Sequence, residues 1–247
     1  MASPARGPHP GRAAEVAASL AAVRSRIAVA CEAAGRDPGE VTLVAITKTF
    51  PATDIRILSG LGVRDVGENR DQEAAPKAAE LADLRDQLTW HFVGQLQTNK
   101  AASVARYADV VHSVDRPRLV TALGTAARKA GRLVCCLVQV SLDDDPARGG
   151  APAGQVLAIA DAVASEASLR LGGVMAVAPL AAESHPGGAL AAFQRLAGMA
   201  GAVRAAHPAA TMISAGMSAD LEDAIAAGAT HVRVGTALLG GRPGFVR

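Results

Sequence analysis

Eight short runs rich in Val, Leu, Ile and Ala recur along this chain, and each is followed by a helical stretch or a helical stub. The runs fall at residues 41–49, 64–69, 89–94, 109–115, 134–142, 171–177, 211–215 and 231–234. The helical stretches between them are 52–62, 71–88, 97–107, 117–131, 155–168, 188–207 and 219–228. An additional helix precedes the first run, with Val16, Leu20, Val23 and Ile27 on one face and Gly35 as its stop. The first run, Val41–Thr49, is apolar or β-branched almost throughout, as a parallel strand covered on both faces should be. Strands alternating with helices in this way predict an α/β fold, a single (β/α)8 TIM barrel with an extra N-terminal helix. A doubly wound open sheet is the alternative, but no G-x-G-x-x-G follows the first strand.

Composition narrows the functional classes. Apolar residues make up 50% of the 247 and aromatics only 2%, so a large core must be packed mainly with Ala, Val, Leu and Ile. A net charge of +2 is too small to mark nucleic acid or an anionic membrane as the main partner. The aromatic platforms of single-strand binders are also missing. Cys135 and Cys136 are neighbours on a strand and point to opposite faces, which makes them poor partners for one disulfide. With no C-x-x-C or H-E-x-x-H, the cysteines fit a reducing compartment, and we expect a cytoplasmic protein. Residues 1–12 are rich in Pro, Gly and Arg, with no apolar segment; they read as a disordered tail ahead of a domain spanning 13–247. Residues 143–154 read as a loop of Asp, Pro and Gly.

In a barrel the strand ends open onto one mouth, and that is where the active site lies. The first run ends on Lys48, which shares a strand face with Thr42, Val44 and Ile46. A lysine in apolar surroundings loses proton affinity, and a neutral amine can attack an aldehyde. Snorkelling to water is the competing reading for this residue. At the ends of the seventh and eighth strands lie Ser214-Ala215-Gly216-Met217-Ser218 and Arg233-Val234-Gly235-Thr236. Glycines, hydroxyls and a following helix N-terminus are the chemistry of a phosphate site. N-capping by Ser218 and Thr236, and tight turns at the glycines, would account for the same residues structurally. Asn69, His91 and Met175 lie at other strand ends; a turn residue, a hydrogen-bonded core histidine and a core filler are their ordinary readings. Lysine, phosphate site and arginine around one mouth point to pyridoxal 5′-phosphate.

Several motifs resemble one family. V-A-I-T-K-T, G-E-N-R-D-Q-E, W-H-F-V-G-Q-L-Q-T-N-K, H-S-V-D, G-V-M-A-V, I-S-A-G-M-S-A-D-L-E-D-A-I-A-A-G and H-V-R-V-G-T-A-L-L-G run from Val44 to Gly240. Together they resemble the YggS/PROSC family of pyridoxal phosphate homeostasis proteins, which share the barrel of alanine racemase. The resemblance implies that Lys48 carries pyridoxal 5′-phosphate as an internal aldimine. It implies that Ser214, Gly216, Met217, Ser218, Gly235 and Thr236 surround the phosphate, that Arg233 faces the pyridine nitrogen, and that Asn69 and Met175 line the ring. This chain departs from the family pattern at Phe50, where a second lysine is usual, at Ala215 for leucine, and at Gln95 for proline.

Three functions are then to be distinguished: a carrier and regulator of the cofactor, an amino-acid racemase, and a Schiff-base aldolase without cofactor. A racemase needs a second acid/base group. The tyrosine of this sequence, Tyr107, is expected in a helix away from the mouth, and no second β domain is expected within these residues to supply another. An aldolase would have to use His91 or Glu68. The carrier reading is the expectation, with cofactor-dependent apo-enzymes as partners. No exposed apolar stripe argues against a monomer.

Overall fold

The computed structural model describes residues 11–143, 149–179 and 188–241. The expected tail therefore lies, up to residue 10, outside the described residues. Helix α1 (Arg12–Ala33) precedes β1 (Thr42–Ile46), α2 (Ala52–Gly60), β2 (Asp65–Glu68), α3 (Asp71–Glu80) and β3 (Thr89–Phe92). Then come α4 (Ala101–Tyr107), β4 (Val110–Val114), α5 (Pro117–Lys129), β5 (Val134–Gln139), α6 (Val156–Ala164) and β6 (Leu169–Met175). Helix α7 (Gly188–Ala206), β7 (Met212–Ser214), α8 (Leu221–Ala226), β8 (His231–Val234) and the short α9 (Thr236–Leu239) follow. The eight strands are parallel and close into a barrel in chain order, β8 pairing with β1. The expected (β/α)8 barrel with its extra helix is the fold. Among the described residues no helix is long and apolar enough to cross a membrane.

Several sequence boundaries shift by a few residues, and two of the shifts have a visible cause. Arg12 opens α1 rather than closing a tail, and its guanidinium reaches Asp54 at 2.7 Å and the Leu239 carbonyl at 3.0 Å. The helix expected over 71–88 stops at Glu80; Leu81 turns fully into the core and a short 3-10 turn follows at Ala82–Leu84.

Strand alternation divides the core. On β5, Cys135 and Leu137 pack inside the barrel with Val110 and Met175, while Cys136 and Val138 face the surrounding helices. All three cysteines are free and buried. Outside the barrel, α9 has only four residues and leaves much of the outer face of β8 bare. Helix α1 covers it. Its stripe of Val16, Leu20, Val23 and Ile27 packs with Ala45 of β1, Val232 and Val234 of β8, and Leu221 and Ile225 of α8. Arg26 of α1 also bonds Glu222 at 2.8 Å and the Ser218 carbonyl at 3.0 Å, tying the helix to the loop after β7.

The register slips where β5 meets β6: Cys136 pairs with Leu171 but Leu137 pairs with Gly173, so Gly172 is the extra residue of a bulge. Gly173 holds φ at +147°, and a Cβ there would lie 1.9 Å from the Met212 carbonyl oxygen. Strained backbone and overpacking each cost roughly 1–3 kcal/mol. Gly173→Ala should therefore lower stability by about 3 kcal/mol or more in urea unfolding. Gly198→Ala is the contrast: that glycine sits in α7 with open space around it. The change should raise stability by about 0.5–1 kcal/mol.

Candidate functional site

Lys48 does not lie on β1, whose hydrogen-bonded ladder ends at Ile46, two residues earlier. It stands in the turn that follows, half-buried, and keeps the facing expected of it: Ile46 and Lys48 line the same cavity. The turn is held from both sides. The Thr47 hydroxyl donates to Glu68 Oε1 at 2.7 Å, and Lys77 Nζ donates to the Thr47 carbonyl at 2.9 Å. Lys77 Nζ also meets Glu68 Oε1 at 2.6 Å, so the two close a small ring behind Thr47. On the other side, the Thr49 amide donates to Glu73 Oε2 at 3.0 Å. Thr49 has φ of +69°, a left-handed conformation that a β-branched residue adopts only when its surroundings impose it. Burial pushes the Glu68 carboxyl up, and Lys77 opposes that.

The cavity, about 360 Å³, opens at the C-terminal ends of the strands. Lys48, Asn69, Met217, Ser218, Arg233, Gly235 and Thr236 line it, with Ile46, Val93, Gly94, Val177 and Ala219 as apolar and backbone wall. Seven of the ten residues read from the sequence thus meet in one hollow. The other three stand behind it. Gly216 shapes the loop: it holds φ at +87°, and a Cβ would come within 2.6 Å of the Ala224 methyl. Its carbonyl accepts the Arg233 amide at 2.9 Å, locking the loop to β8. Met175 is in the barrel interior with Val110, Cys135 and Leu137, one layer behind Val177. Ser214 is also interior, where its hydroxyl serves Arg233 rather than the cavity wall. On the loop itself, the Met217 amide donates to Asp220 Oδ1 at 2.6 Å, and Ser218 Oγ accepts the Ala237 amide at 3.3 Å.

Arg233 is nine-tenths buried. Its Nη1 donates to Ser214 Oγ at 2.6 Å and its Nη2 to the Ala176 carbonyl at 2.9 Å. Burial pulls its pKa down to about 10, which leaves it charged at neutral pH. A polar seam continues from it through the barrel. His112 Nδ1 lies 3.0 Å from Ser214 Oγ, His112 Nε2 lies 2.8 Å from His91 Nδ1, and His91 Nε2 lies 2.9 Å from Asp65 Oδ1. His91 is therefore a hydrogen-bonded core histidine and does not line the cavity. Tyr107 does not line it either; it is buried edge-on against Trp90. Burial first, and then neighbouring ionisable groups, His91 and Arg233 among them, hold His112 well below the usual histidine range and His231 at about 4.

The model of the alanine racemase N-terminal domain matches residues 18–243. A pyridoxal phosphate homeostasis protein of Mycobacterium tuberculosis H37Rv is 47% identical, with 95% of each chain covered. The chain belongs to the pyridoxal phosphate homeostasis protein family. The Escherichia coli K12 member is 37% identical over 92% of this chain and 97% of its own. Among solved members of the family, PipY of Synechococcus elongatus, whose structure has PLP bound, is 36% identical with a TM-score of 0.78, over 91% of this chain and all of that one. Alanine racemase of Streptomyces coelicolor shares the fold at 19% identity and a TM-score of 0.72; this chain spans 58% of its length.

Sequence reading missed Glu73, Lys77, Asp65 and His112. Glu73 and Lys77 lie four apart on one face of α3, a spacing that could have marked a helix face turned towards the Lys48 turn. His112 stands at an inward position of β4, beside Ser113 in a strand whose other residues are all valine.

Two outcomes follow. Lys77→Met leaves the buried Glu68 carboxylate without its cation and should cost about 3–5 kcal/mol in urea unfolding. The paired change Glu68→Leu with Lys77→Met should cost less than Lys77→Met alone. Acid should also weaken the fold. A histidine whose folded pKa is depressed contributes stability that is full above its unfolded value, near 6.5, and is lost as pH falls towards the folded one. For His231 that window runs from about 6.5 down to about 4, at about 1.4 kcal/mol per pH unit. Urea midpoints at pH 7.5 and pH 5 should differ, and by less in His231→Gln than in the unaltered chain.

Proposed function

We propose that this protein binds pyridoxal 5′-phosphate covalently through Lys48 and acts as a carrier and regulator of the cofactor without substantial catalytic turnover. The observation that carries the reading is the cavity itself. It joins a lysine, a buried arginine and two glycine-containing strand-end loops in about 360 Å³, within the usual range of small-ligand pockets. The PLP-bound relative PipY and the names of the homologues support it. When bound, the cofactor supplies an aldehyde that condenses with an amine and a ring that can accept electrons.

In this reading each residue has a task. Lys48 presents Nζ from a turn whose backbone is fixed by Lys77 and Glu73, with Glu68 holding the Thr47 hydroxyl. Ser218 and Thr236, with the backbone of Gly216, Met217 and Gly235, surround the phosphate. Arg233 faces the pyridine nitrogen and offers it only donors, so the nitrogen stays unprotonated and the ring is a weak electron sink. Asn69 lines the ring directly, and Met175 and Ser214 support the wall from inside the barrel. Racemisation also needs an acid/base group on each face of the substrate carbon. Among the described residues, Lys48 and Arg233 are the ionisable side chains of the cavity lining, and Arg233 cannot serve as a base. A missing proton-transfer group costs ~10²–10⁴-fold in rate. Residues 13–247 act as one binding domain in this proposal, a cytoplasmic monomer whose partners are cofactor-dependent apo-enzymes.

The experiment has two arms. Borohydride reduction of the cofactor-loaded protein, followed by digestion and mass spectrometry, should place the pyridoxyl label on Lys48. Lys48→Ala should stay folded and lose the visible absorbance. A label mainly on Lys77, Lys100 or Lys129 would overturn the assignment. In deuterated water with L-alanine, D-product and α-deuterium should appear only in traces. Turnover at about 1 per second or faster would replace the carrier reading with a racemase.

A further inference from the structure

The seam behind Arg233 has a direction, and both of its ends fix it. Arg233 has only donors, and an ionised Asp65 carboxylate has only acceptor sites. Facing that carboxylate, His91 Nε2 must carry a proton. A neutral His91 then accepts at Nδ1, so His112 donates from Nε2 and accepts at Nδ1. Ser214 gives its one proton to His112 Nδ1, which turns its lone pairs towards Arg233 Nη1. Every group in the chain is satisfied in this arrangement. Reversed, it would leave His91 Nε2 bare against the carboxylate and the Ser214 proton without its acceptor.

We propose that Asp65, at the opposite end of the barrel from the cavity, is a positioning residue for Arg233, acting through His91, His112 and Ser214. Asp65 is the first residue of β2, and its side chain is about a quarter exposed at the barrel's N-terminal end, whereas His91, His112 and Ser214 are buried. It also borders a second hollow, of about 520 Å³, between α1 and the start of the strands. The hollow gives the far end of the chain contact with solvent, while the near end faces the ligand cavity. Beside the seam stands His231, whose ring centre lies 6.3 Å from that of His91, and Arg24 and Arg64 border the same hollow as Asp65. The consequence for pyridoxal 5′-phosphate rests on the function proposed above; the ordering of Arg233 does not.

The test therefore reads the protein with and without cofactor. In the cofactor-free protein, ¹⁵N NMR should find His91 and His112 as Nε2–H tautomers and the Arg233 guanidinium slowly exchanging. Asp65→Ala should mix the tautomers, speed guanidinium exchange, and weaken uptake of pyridoxal 5′-phosphate about five- to twentyfold by visible titration. Asp65→Asn, whose amide oxygen still accepts from His91, should restore all three. His91→Phe breaks the chain at another point and should match Asp65→Ala in the His112 tautomer, guanidinium exchange and uptake, which covers a failure of that variant to fold. Unchanged tautomers or unchanged Arg233 exchange in Asp65→Ala would overturn the proposal, as would Asp65→Asn behaving like Asp65→Ala. If the unaltered protein takes up no cofactor, the function proposed above fails, and the tautomers and guanidinium exchange still decide the role of Asp65.

Discussion

A guanidinium nearly sealed inside a barrel must find its acceptors there, because so little of it is open to solvent. Arg233 finds two, a serine hydroxyl from β7 and the Ala176 carbonyl just past β6. Meeting that demand divides the barrel interior. One side is apolar, filled by Val110, Cys135, Leu137 and Met175. The other is a line of polar groups from Arg233 to Asp65. The polar side crosses strands β2, β3, β4, β7 and β8, so the packing of distant strands depends on it.

The mouth of the barrel uses a different device. Lys48 sits past the last ladder hydrogen bond of its strand, where a turn would ordinarily be loose. Instead, side chains from β2 and α3 hold the backbone on either side of it. Glu68 and Lys77 offset one another's burial, and their combined hold on Thr47 leaves the Lys48 side chain directed at the cavity. A reactive amine on a fixed backbone needs little reorganisation to meet an aldehyde.

The sequence made the barrel legible because each strand is a short apolar run and each helix has its own punctuation, as at Gly35 and Pro117. Lys48, Arg233, Gly235 and Thr236 could be read as site residues because strand ends in a barrel share one mouth. Ser214 was harder. Its position at a strand end suited a phosphate donor, but the side-chain facing that points it inward at Arg233 is set by the barrel's closure. Asp65 and His112 were invisible for the same reason: they lie 47 residues apart along the chain and are joined only when β2, β3 and β4 come side by side. The bounds of α3 were misjudged because charge and alanine content continue past Glu80, while the burial of Leu81 ends the helix.

The placement of α1 bears on how such a chain comes to be folded. Its apolar stripe is synthesised well before its partners Leu221, Ile225, Val232 and Val234. Closing β8 onto β1 has the same long span. Contacts this far apart in sequence form slowly, because the entropy of bringing the ends together must be met before they stabilise anything. During synthesis, then, Val16, Leu20, Val23 and Ile27 wait with only the early part of their cover, such as Ala45 of β1. Until β8 closes, the rest of that stripe is transiently exposed apolar surface, the kind of surface through which folding chains aggregate.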